Sequence, residues 1–98
     1  MPEDQPNILL FLTDHFRADM IGPSTPNLRR LASMGTRCEQ AYCASPLCMP
    51  SRNSIVTGLL PSQNGVCGNM AAPIDEAMRA DTYPSHLRSA GYRTALVG

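Results

Sequence analysis

Asn7-Ile8-Leu9-Leu10-Phe11-Leu12-Thr13-Asp14 holds five consecutive apolar residues and stops at a carboxylate. So short an apolar run can neither span a bilayer nor serve as the core of a secretory leader. Apolar at every position and bounded by polar residues, it predicts a strand covered on both faces, the pattern of a parallel sheet. Working outward, Thr25 and Pro26 form a helix start, with Pro at the first helical position. Leu28, Leu31 and Met34 follow at intervals of three, and Gly35 supplies a stop, so the spacing predicts a helix over 26–34. Residues 36–42 carry Thr and Tyr and predict a second strand. A weaker helical pattern covers 51–59 through Ile55, Val56 and Leu59, and 61–75, rich in Gly, Asn and Pro, predicts a loop. Near the end, Asp81 or Thr82 can cap a helix with Pro84 in its first turn, Leu87 and Ala90 on its inner side and Gly91 closing it. A strand over 92–97 follows. The helix–Gly–strand unit thus recurs at 26–42 and 82–97, and the expected class is α/β, a mixed and mostly parallel sheet with helices on both faces.

Ninety-eight residues make one small domain or part of a larger one. A chain of this size buries roughly 60–68% of the surface it exposes when unfolded. Ordering it costs about 1.5 kcal/mol per residue, against few elements to cover both faces of a sheet. Residues 1–98 are therefore expected to be the N-terminal part of a larger domain. The formal charge is zero, from eight Arg, no Lys and eight acidic residues. No basic stripe exists to neutralise a phosphate backbone, and Phe11, Phe16, Tyr42, Tyr83 and Tyr92 offer no stacking platform, so nucleic acid is not an expected partner. The polar start, Met1 to Pro6, and the short apolar run lead to a cytoplasmic expectation, with no membrane partner. Cys38, Cys43, Cys48 and Cys67 do not form paired C-x2-C knuckles, so three of the four are expected as small buried apolar residues.

The run Cys48-Met49-Pro50-Ser51-Arg52, followed by Asn53-Ser54-Ile55-Val56-Thr57-Gly58, carries the chemistry. A Cys just before a helix N-terminus faces unpaired backbone N–H groups and the positive end of the dipole. Both favour a thiolate, and both hold an anionic substrate. Arg52, four residues on, can reach back as a permanent cation with a planar donor fork. Pro50 is expected to hold Met49 in an extended backbone. The pattern suits a cysteine nucleophile with an oxyanion clamp; a turn cap with a packed cysteine is the structural alternative.

These residues resemble the signature of the type I sulfatases of the alkaline-phosphatase-like superfamily, C-x-P-S-R followed by Thr-Gly, which Cys48 through Gly58 fits throughout. Three further segments agree in order. Pro6 through Asp14 looks like the family's first strand with its metal-binding Asp, and Thr25 through Ala32 like the helix that follows. Ala90 through Gly98 looks like the stretch leading into the family's Lys-Trp-His segment. The resemblance implies that residues 1–98 are the incomplete N-terminal segment of a sulfatase catalytic domain, with the N-terminal part of its alkaline-phosphatase-like sheet. It also implies that a maturation enzyme oxidises Cys48 to Cα-formylglycine, with Pro50 and Arg52 in its recognition signal. The hydrated aldehyde would attack sulfur, and its second hydroxyl would expel sulfate by restoring the aldehyde. By the same resemblance Cys48 and Arg52 are catalytic. Asp14 and the modified Cys48 would hold one divalent cation, Ca2+ first, with Mg2+ or Mn2+ as alternatives.

Two departures qualify the likeness. His15 stands where many arylsulfatases have a second Asp, which brings Asp14-His15-Phe16-Arg17 nearer to the choline sulfatases and phosphonate monoester hydrolases. His15 could serve as ligand, as donor to substrate oxygens, or in packing. Asn64 stands where many relatives have His before Gly, and it is assigned no role. The expected reaction is hydrolysis of a small-molecule or glycan sulfate ester. Phosphonate or phosphate ester hydrolysis is the in-family alternative. Outside that class, the chain would be an inactive fragment or a binding module.

Overall fold

The computed structural model describes residues 5–98, so the polar start at residues 1–4 lies outside it. Every regular element among the described residues is helical. They are a single 3-10 turn, Ala18–Met20, and five helices: α1, Pro26–Met34; α2, Cys48–Thr57; α3, Pro61–Asn64; α4, Glu76–Ala80; and α5, Tyr83–Ser89. This overturns the expected α/β sheet. The segments 7–13, 36–42 and 92–97 adopt no strand among the described residues. A strand is completed by the N–H and C=O groups of a neighbour, so apolar composition alone does not make one. Nor does 7–13 lie under covering layers, since Leu9 is 88% and Phe11 71% exposed.

The chain divides into two units at Glu39 and Gln40. In the first, Thr25 occupies the N-cap of α1 and Pro26 the first helical position, as the sequence predicts. Its hydroxyl, however, does not cap the helix. It donates to the Met20 carbonyl (2.9 Å) and accepts the Gly22 N–H (2.9 Å), closing the preceding turn instead. On α1 Leu28 is half-buried, whereas Leu31 and Met34 are exposed.

In the second unit α2 packs against α3 and α5. Its centre is small, with Val66 and Pro50 the largest fully buried side chains and Asn64 and Thr82 the buried polar residues. The weak helical pattern of 51–59 is realised earlier in the chain, as α2. Pro50 is accommodated because it lies in the first turn, where its missing N–H would have had no acceptor inside the helix. Met49 is helical and not extended, although the residue before a proline is disfavoured in that region. Gly58 ends the helix with φ of 70° and donates its N–H to Ser54 O (2.8 Å), a left-handed exit that suits glycine. Residues 61–75 are not wholly loop, since Pro61 starts α3 and Gln63 Oε1 accepts the Leu60 N–H (2.9 Å). The helix α4, absent from the sequence expectation, is capped by Asp75, whose Oδ1 accepts the Met78 N–H (2.7 Å). At α5, Thr82 is the N-cap and Pro84 lies in the first turn, as expected. The Thr82 hydroxyl nonetheless bonds back to Arg79 O (3.2 Å) and pairs with Ser85 Oγ (2.9 Å). No helix among the described residues is long and apolar enough to cross a membrane.

Candidate active site

Asp14 and His15 belong to the first unit, Cys48 and Arg52 to the second. Asp14 lies exposed at a bend where residues 7–13 end. His15, also exposed, has φ of 49°, in the left-handed region. A non-glycine residue is uncommon there, although His enters it more readily than β-branched residues do. Just beyond, Arg17 Nε donates to Asp19 Oδ1 (2.9 Å) in an exposed ion pair.

Cys48 is the first residue of α2, not a residue ahead of it, and is half-buried. Arg52 follows one turn later on the same helix and is exposed, so the expected one-turn spacing of Cys48 and Arg52 is present. The helix start differs from the expected row of open donors. The N-cap is Leu47, whose side chain cannot accept a hydrogen bond, and its N–H donates to Ser45 Oγ (3.3 Å). The Met49 N–H donates to Asn69 Oδ1 (3.1 Å), and Pro50 has no N–H to offer. The helix start is thus closed at Leu47, Met49 and Pro50. The free thiols of Cys38, Cys43 and Cys67 are exposed, against the expectation that they are buried packing residues.

Several residues hold this helix through bonds that the sequence does not announce. Asn53 Nδ2 donates to the Met49 carbonyl (2.9 Å). The Thr57 hydroxyl donates to Asn53 O (2.7 Å) and accepts the Leu59 N–H (3.3 Å). Asn64, assigned no role from sequence, is buried. Its Nδ2 donates to Leu59 O (3.3 Å) and Thr57 Oγ1 (3.5 Å), and its Oδ1 accepts the Val66 N–H (2.9 Å). The Asn64-Gly65 turn signal was the one available clue, and Gly65 does adopt φ of 77° as the α3 C-cap. His86, exposed on α5, pairs with Asp81 Oδ1 (2.7 Å).

Comparison with known proteins identifies the class. Residues 6–98 match the sulfatase family model, and the chain belongs to that family, within the alkaline-phosphatase-like superfamily. It is 39% identical over its full length to a choline-sulfatase of Rhizobium meliloti (strain 1021), of which it covers 20%. It is 36% identical, over 97% of its length and 21% of the relative, to a sulfatase of Formosa agariphila. Arylsulfatase G of Mus musculus is 36% identical over 96% of this chain and 19% of its own. The chain therefore spans about a fifth of the length of the curated relatives it matches. No solved structure matches it.

Proposed function

We propose that this segment supplies the attacking group of a sulfate-ester hydrolase, with Cys48, converted to Cα-formylglycine by a maturation enzyme, as nucleophile. The observation that carries this reading is the run Cys48-Met49-Pro50-Ser51-Arg52 set on one helix, α2, in a chain of the sulfatase family. From one turn away, the Arg52 guanidinium would orient an oxyanion next to position 48 and balance its charge.

Asp14 fits a divalent cation by its chemistry, an exposed hard carboxylate oxygen at the bend that ends residues 7–13. It would hold the ion together with the converted Cys48, with Ca2+ the best match to oxygen ligands. Such a cation supplies Lewis acidity toward oxygen. The adjacent His15, in its left-handed conformation, would present its ring to substrate oxygens.

The 39% identity of this chain with a fifth of a choline-sulfatase favours a sulfate ester over phosphonate or phosphate. Paired assays with an aryl sulfate and an aryl phosphonate, on the polypeptide that carries this segment, test that choice. The expected result is faster sulfate turnover, abolished in Cys48→Ala and reduced by about a hundredfold or more in Arg52→Ala. Undiminished turnover in Cys48→Ala would remove the proposed nucleophile, and faster phosphonate turnover would reassign the substrate.

A further inference from the structure

We infer that Asn69 is a positioning residue for Cys48, capping α2 from outside the helix in place of its own N-cap. Leu47 has no acceptor in its side chain, and α2 has no side-chain N-cap bond. A helix start without one forgoes a stabilising contact for its first N–H groups. Asn69 lies twenty residues further along the same unit, and its Oδ1 takes the Met49 N–H at 3.1 Å. This is the amide of the peptide that joins Cys48 to Met49. Asn53 Nδ2 holds the Met49 carbonyl at 2.9 Å, so the backbone on both sides of Met49 is held by asparagine side chains.

The brace acts where the local sequence resists a helix. Met49 precedes Pro50, and the proline ring disfavours the helical region for the residue before it. Met49 is nevertheless helical, and Pro50 is fully buried. With its amide fixed by Asn69, Met49 cannot relax to the extended form without losing that bond. Cys48, immediately before it, is held at the first position of the helix, one turn from Arg52. The inference rests on Cys48 as the reactive residue, but the brace itself does not require any particular chemistry there.

The test uses Asn69→Ala and the acceptor-preserving Asn69→Asp in the full chain produced without a maturation enzyme, so that Cys48 keeps its thiol, read by amide hydrogen exchange and by iodoacetamide alkylation at one fixed pH. In Asn69→Ala the Met49 amide should exchange about fivefold faster or more, and half-buried Cys48 should alkylate faster by a similar factor. Exposed Cys38, Cys43 and Cys67 serve as internal references and should not change. Asn69→Asp should restore both readouts. Unchanged Met49 exchange in Asn69→Ala would overturn the inference. So would a parallel rise at all four cysteines, or a failure of Asn69→Asp to restore the first turn. Loss of sulfatase activity enters none of these outcomes, so the brace and the nucleophile assignment can fail separately.

Discussion

At the scale of single residues, Asn64 shows how a polar side chain organises a small core. It is 4% exposed and bonds to Leu59, Thr57 and Val66, bridging the exit of α2 to the turn after α3. Replacing it with Ala would leave the buried Val66 N–H without its acceptor. Asn64→Ala should therefore destabilise the fold by about 2 kcal/mol, measured by urea denaturation. A loss within about 0.5 kcal/mol would show that water or a backbone shift replaces those bonds. The sequence marks Asn64 only as a turn residue, because the partners that give it value come from positions 57, 59 and 66 together. Thr57 is similar. Its place in the Thr-Gly exit is legible, but the three bonds of its hydroxyl emerge only in the folded unit.

At the scale of elements, the helices were the legible part. Prolines at helix starts and glycines at exits are local signals, so 26–34 and the start of α5 were read correctly from Pro26, Thr82 and Pro84. The predicted strands failed because a strand depends on partners far away in sequence, which five apolar residues cannot specify. The helix α4 was missed because its five residues are too few to show a period, although Asp75 is a sound N-cap. The two readings of 7–13 differ measurably. Leu9→Ser, at an 88% exposed position, should change stability by less than about 0.5 kcal/mol, while Val66→Ala, at a fully buried one, should cost about 2 kcal/mol. A larger loss for Leu9→Ser than for Val66→Ala in thermal unfolding would restore the buried strand and contradict the helical description.

At the scale of the whole molecule, the four residues singled out from sequence are divided between two units, Asp14 and His15 in one, Cys48 and Arg52 in the other. The spacing within α2 could be read in advance because i and i+4 positions share a helical face. Its closed N-terminus could not, since Asn69 and Ser45 supply partners that no local pattern announces. Family membership covers residues 6–98, and the proposed chemistry turns on what Cys48 becomes. The most direct test is mass spectrometry of the peptide containing Cys48, from active polypeptide produced together with a maturation enzyme. The expected result is an aldehyde at position 48, trapped by a hydrazide probe, with thiols intact at Cys38, Cys43 and Cys67. An unmodified thiol at position 48 in fully active protein would contradict it.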